Sequence, residues 1–177
     1  MTAVQIGRPE ADEFSPYYAE YIGRVPEPDP VAALAAEAES TRKLLGGVAE
    51  KDAGFRYAPD KWSVKEVVGH LCDVERVMSY RALCIARGDT TPLPGFDENA
   101  YVPAADFGRR RLADLVSEFS DVRRATLALF RSFSADDWRR KGNANGHPIS
   151  VRALGYILPG HERHHVMVLR DRYGLRG

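Results

Sequence analysis

Four long stretches of this chain repeat apolar residues at steps of three and four, a period that suits helices and not strands. The clearest is Leu112, Leu115, Phe119, Val122, Thr126, Leu129 and Phe133. It paints one side of a helix predicted over 111–133, and that side must find an apolar partner. A second stripe, Val67, Leu71, Val74, Met78, Ala82 and Ile85, follows Ser63-Val64-Lys65-Glu66. There serine and glutamate satisfy each other's free backbone donors in a capping box, with Trp62 and Val67 placed for a hydrophobic staple. Gly88 ends that helix. Upstream, Asp29 caps and Pro30 opens a helix carrying Val31, Leu34, Ala38, Thr41 and Leu45 on one face, stopped at Gly46-Gly47. The last helix starts at Ser150 and runs to about Tyr173, before Gly174. These elements predict an all-α four-helix bundle with antiparallel helices.

The other segments read as attachments. Ser15-Pro16-Tyr17-Tyr18 is a cap followed by proline in the first turn, so 1–28 is predicted as an N-terminal extension with a short helix packed across the bundle. Ser134-Ala135-Asp136-Asp137 starts another short helix holding Trp138, and Asn143-Ala144-Asn145-Gly146 has the turn chemistry of a small hairpin. Residues 88–108 show no period, and the stretch far exceeds the connections usual between bundle helices. Loops of that length serve as lids or interfaces. Leu93, Phe96, Tyr101 and Val102 within it should pack on the bundle, and with the alanine-rich first helix they point to a homodimer. No repeat or break in composition divides the chain, so one domain over 1–177 is expected.

Lysine plus arginine and aspartate plus glutamate are balanced at 25 each. The chain therefore has no overall field to draw in phosphate backbones or anionic membranes, and nucleic acid is not an expected partner. No apolar run approaches the roughly 20 residues of a membrane span, and Met1 to Glu10 contains no apolar signal core, so a cytoplasmic protein is expected. Cys72 and Cys84 fall on one predicted helix, about 18 Å apart along its axis. That excludes a disulfide between them, and both are expected as small buried residues.

Histidine placement carries the chemistry. His70 flanks the second stripe beside Val67, Val74 and Val77, so it points to the interior or its rim. His161 and His165 are four residues apart, stacked on one face that Leu154, Leu158 and Val168 continue. A lone inward histidine is more often a hydrogen-bonded core residue. Two imidazoles stacked on an inward face require a shared cation or exposure. Two ligands from one helix and one from another would leave a coordination position open, as in catalytic sites. His164, at i+3, competes with His165 for the third place. Glu66 and Asp73 lie one turn either side of His70 and could hold its second ring nitrogen, although Glu66 is already engaged by the cap. Glu162 could reach the pocket rim as a proton acceptor, but its expected role is that of a solvated surface carboxylate. His147, before Pro148, reads as an ordinary loop residue. Pro159-Gly160, just ahead of the pair, should bend the helix.

His161-Glu162-Arg163-His164-His165 also satisfies His-Glu-x-x-His, a zinc-protease pattern. Its longer form needs glycine where Val168 stands, and only Asp171 occupies the offset of a further ligand, so the protease reading is set aside.

Taken together, several strings resemble the DinB/YfiT-like superfamily of DinB-like domains over nearly the whole chain. They are Arg56-Tyr57-Ala58-Pro59, the run from Lys61-Trp62-Ser63 through Gly69-His70-Leu71-Cys72-Asp73 to Glu75-Arg76, Tyr80-Arg81-Ala82-Leu83, Pro92-Leu93-Pro94-Gly95-Phe96-Asp97, and Gly160-His161-Glu162-Arg163-His164-His165. The resemblance implies an up-down-down-up bundle and metal ligation by His70, His161 and His165. It also implies kinship with transferases and isomerases that use bacillithiol, mycothiol or glutathione, although many members have no assigned reaction. The family name records damage-inducible expression, not action on DNA. The expectation is one divalent ion, zinc or nickel first among the metals that suit three imidazoles. A low-molecular-weight thiol would be the cosubstrate, attacking an electrophilic small molecule as its thiolate, with no protein nucleophile. Two alternatives stay open: a metal-dependent hydrolase, and a stress-linked metal- or ligand-binding protein without catalysis.

Overall fold

In the computed structural model, which describes residues 6–176, the helices start at the caps the sequence provides. The elements are α1 (Ala19–Gly23), α2 (Pro30–Gly46), α3 (Val64–Ala86), α4 (Glu98–Ala105), α5 (Leu112–Arg131), α6 (Ala135–Arg139), β1 (Lys141–Ala144), β2 (His147–Ser150) and α7 (Val151–Asp171). Asp29 accepts from the backbone of Val31 and Ala32 at the head of α2. Capping boxes close on α3 through Ser63 and Glu66 and on α6 through Ser134 and Asp137. Ser150 accepts from Ala153 to open α7. The start of α5 has no cap of its own; Glu50 accepts the Leu112 N–H instead.

Contacts between helices set their directions. Glu75 meets Arg123 and, one turn on, Ser79 meets Thr126, so α3 and α5 run parallel. Tyr156 reaches the Pro28 carbonyl ahead of α2 and Arg163 reaches Glu37 within it, so α2 and α7 are parallel too. Trp62 meets Tyr173 and His70 meets His161, making α3 antiparallel to α7. The bundle is therefore up-down-down-up, as the family resemblance implies, and not the plain antiparallel succession the helix pattern suggests. The long connection after α3 makes this order possible, because it gives the chain enough length to return to the starting end before α5 begins.

That connection is not the aperiodic loop expected. Asp97 accepts the Asn99 N–H and opens α4, and a short 3-10 turn follows at Phe107–Arg109. Eight residues are too few to show a stripe, and Pro103 inside them reads as a breaker. Val102 and Phe107 are buried, as packing on the bundle requires, but Tyr101 remains exposed. The hairpin is present: β1 and β2 pair antiparallel across Asn145 and Gly146, both at positive φ, the backbone that a two-residue turn of this hand requires. Leu93 exchanges backbone hydrogen bonds with this turn region, donating to Asn143 and accepting from Asn145.

Within the N-terminal segment, α1 packs on α7. The glycine at 160 is explained by this contact, since a Cβ there would lie 1.9 Å from the Tyr21 carbonyl oxygen. Both Pro159 and Gly160 lie inside the continuous span of α7. The Pro159-Gly160 pair thus marks a close approach of α1 to α7.

An ionic cluster sits in the core between α3, α5 and α7. After Phe119 the buried face of α5 passes to Arg123, Thr126 and Phe130, leaving Val122 and Leu129 half-buried. Arg123 Nε donates to Glu75 Oε1 at 2.8 Å, its Nη2 to Glu75 and Glu162 at 2.8 Å each, and its Nη1 to the Leu34 carbonyl at 2.9 Å. All three side chains are sealed from water. Burial raises the Glu162 carboxyl above its ordinary range, and the Arg123 guanidinium opposes the rise without cancelling it. Cys72 is buried as expected; Cys84 is only half-buried.

Candidate metal centre

His70 stands in the second turn of α3 and faces His161 and His165 on α7. The Nε2 atom of His161 lies 3.1 Å from Nε2 of His70 and 3.1 Å from Nε2 of His165. One ring nitrogen from each of the three falls within 4.8 Å of the others.

This spacing can be tested against an ion. Nitrogen–metal bonds of about 2.0–2.1 Å put ligand nitrogens about 3.3 Å apart in a tetrahedron, and about 2.9 Å apart at right angles in an octahedron. The observed 3.1 Å lies between the two. Hydrogen bonding accounts for it less well. A neutral Nε2 has one in-plane site, either an N–H or a lone pair, so His161 Nε2 can serve only one of its two neighbours. A shared cation serves all three.

Burial also keeps these rings in the form a cation needs. It pushes His70 down to about 4. His161 is held well below the usual histidine range, first by burial and then by the neighbouring imidazoles, and His165 follows for the same reasons. The lone pairs are therefore free of protons at neutral pH. Trp62 packs 4.6 Å from the His70 ring and 6.5 Å from the His165 ring, and Tyr21 sets its edge against His161 at 5.4 Å. The sequence reading missed both as site residues. Trp62 had a signal, because the residue before a cap packs back on its own helix; Tyr21 comes from the separate α1 and had none.

His164 is half-buried near the cluster, its ring 5.6 Å from Tyr21, with a buried Nδ1 that finds no partner; it is not among the three converging nitrogens. The carboxylates read as neighbours of the site are engaged elsewhere. Glu66 accepts from the Ser63 N–H and from Arg56. Asp73 is half-buried beside Arg76 at 3.6 Å, and burial raises its pKa. Glu162 is the clearest correction. It is 1% exposed, neither solvated nor at a rim, and is bound to Arg123. The reason is that its position on α7 falls between Leu158 and Val166 at helical spacing, on a second inward face. In this geometry it cannot act on the histidine cluster as a protease glutamate would.

A cavity of about 470 Å³ opens over the histidines. His147, read as an ordinary loop residue, lines it, together with Tyr18, Arg81, Phe96 and Glu98.

Residues 33–169 match the family model of the DinB superfamily. No curated protein matches the chain. Among solved structures it is similar to YfiT from Bacillus subtilis, described as a probable metal-dependent hydrolase with an unusual four-helix bundle topology. The two share 16% identity with a TM-score of 0.74, over 96% of this chain and 95% of that one. At that identity the likeness concerns the fold. Among the described residues no helix is long and apolar enough to cross a membrane.

Proposed function

This chain belongs to the DinB superfamily, and on that premise we propose that it is a metal-dependent enzyme whose His70, His161 and His165 hold one divalent ion, zinc or nickel. The observation that carries this reading is His161 Nε2 at 3.1 Å from two other imidazole nitrogens, of which hydrogen bonding serves only one. An ion held there supplies positive charge at an open coordination position, lowering the pKa of whatever acid occupies it. The protein's own groups orient and shield. Trp62 and Tyr21 hold the rings in place.

The reaction we assign is transfer of a low-molecular-weight thiol to an electrophilic small molecule. Among the described residues no carboxylate is hydrogen-bonded to the three histidines, and Glu98, the acidic residue among those lining the cavity, is not held against them, so water would lack a positioned carboxylate base. A thiol, with a free pKa of about 8.5, needs only the charge. Hydrolysis is the second reading, favoured by the unpartnered His164 Nδ1, which could take a proton from water, and by the description of YfiT. A homodimer in the cytoplasm completes the proposal, and a monomer mass in sedimentation would remove its first part.

Elemental analysis of the purified protein, joined to a screen of bacillithiol, mycothiol, glutathione and coenzyme A against chlorodinitrobenzene, tests the assignment. Activity should require the metal, disappear in His161→Ala and survive Cys72→Ala and Cys84→Ala. No rate with any thiol, alongside hydrolysis of an ester or amide without one, would establish the second reading instead.

A further inference from the structure

The cavity over the histidines extends along α3 to a second charged group. Arg81 shares a face of that helix with His70, Val74 and Met78, all of which line the cavity. It lies about 16 Å along the helix axis beyond His70. Its side chain is 2% exposed. Nη2 donates to the Pro94 carbonyl at 2.7 Å, Nη1 approaches Met78 Sδ at 3.6 Å, and the guanidinium carbon is 5.8 Å from the centre of the Phe96 ring. None of these partners carries negative charge, and among the described residues Arg81 makes no ion pair.

The contrast with two other arginines of the bundle is informative. Arg123 meets two carboxylates, and Arg163 meets Glu27 and Glu37. A guanidinium sealed from water among neutral groups is costly until an anion joins it. The Tyr18 hydroxyl lies beside this charge: burial raises its pKa, and Arg81 opposes the rise. Val74, Met78 and Ile157 supply apolar lining to the same cavity, the first two from helix positions between His70 and Arg81. Glu98 also lines the cavity, but it is half-exposed and therefore screened by water, whereas Arg81 is not.

We propose that Arg81, assisted by Tyr18, is a carboxylate-binding residue of this cavity, and that the ligand is an elongated small carboxylate with an apolar or aromatic midsection. Its far end faces the histidines. That orientation rests on the metal-centre reading above; the carboxylate subsite does not. A purely structural Arg81, holding the segment around Pro94, would not discriminate between charged and uncharged ligands, which is what the test reads.

Calorimetric titration of the full-length protein with 4-phenylbutyrate and octanoate, each against its uncharged amide, before and after metal removal by a chelator, tests the proposal. Each acid should bind about tenfold or more tighter than its amide, as for a charge-assisted hydrogen bond, in both metal states. Arg81→Gln should abolish the preference and Arg81→Lys should keep part of it. If Arg81→Gln does not fold, Tyr18→Phe provides the readout, with the preference reduced several-fold. Equal binding of acid and amide, no binding of either acid, or a preference that survives Arg81→Gln overturns the subsite. A preference that vanishes with the metal also overturns it, since the ion itself would then be the anchor. Protein that carries no metal before any chelator is added, yet prefers the acids, supports the subsite while removing the metal-centre reading.

Discussion

Replacing Arg123 with methionine removes the one cation that Glu75 and Glu162 share, while filling most of the space with an apolar chain of similar length. Two carboxylates, each at most 2% exposed, are then left without a countercharge. Each can escape by taking a proton. From an unfolded glutamate pKa of about 4.3, that costs about 4 kcal/mol per carboxyl at pH 7, and because the raised Glu162 carboxyl of the native protein already bears part of its share, the added loss is about 4 kcal/mol. At pH 5 the same step costs about 1 kcal/mol each. In the variant the folded pKa values stand above the unfolded ones, so folding takes up protons. The folded state is then favoured at low pH, and that advantage is lost as pH rises from about 4.3 toward the raised values. Urea titrations followed by circular dichroism measure this directly. With a slope of roughly 2 kcal/mol per molar for a chain of this size, the midpoint should fall by about 2 M or more at pH 7. Most of the loss should be recovered at pH 5. A loss under about 2 kcal/mol at pH 7, or one equal at both pH values, would refute the argument that buried charge dominates this site. Because well-packed apolar groups can replace a buried ion cluster, adding Glu75→Leu and Glu162→Leu should restore much of the stability.

Three further outcomes are expected. His70→Ala, His161→Ala and His165→Ala should each lose stoichiometric metal in elemental analysis while retaining a helical spectrum, whereas His164→Ala should retain the metal; the reverse result for 164 and 165 would reassign the ligand. In chelator-treated protein, burial that pushes His70 down to about 4 means that the unfolded chain binds the extra proton. Stability should therefore be fully present above about pH 6.5 and fall as pH drops toward 4, by about 3 kcal/mol from His70 alone and further as His161 and His165 take up protons, visible in urea midpoints across that range. Gly160→Ala places a Cβ 1.9 Å from the Tyr21 carbonyl, where backbone must move. It should cost about 1–3 kcal/mol in thermal or urea unfolding, while Gly23→Ala, which meets nothing within 4 Å, should not.

What the sequence determined by itself is what neighbouring residues decide. Asp29, Ser63 with Glu66, Ser134 with Asp137, and Ser150 cap their helices within a span of three residues, so their effect does not depend on what lies across the bundle. The same locality made His161 and His165 legible as a pair, because one helical turn separates them whatever the fold. The Asn145-Gly146 turn belongs to this class too. Tertiary structure decided everything that depends on which faces meet. His70 joins the pair across 91 residues of chain, a partnership the periodic patterns only permitted. Arg123, Glu75 and Glu162 each occupy a position three or four residues from apolar stripe members, a signal that was present, but a charged residue reads as solvated until its partner is known. Tyr21 and Gly160 meet only because α1 crosses α7, and α4 is held by burial of Val102, without a stripe long enough to announce it. Local hydrogen bonds form with little loop-closure cost and so leave their mark in short words of sequence. Contacts between distant segments owe their existence to the collapsed bundle, whose chain direction was set by the long connection after α3.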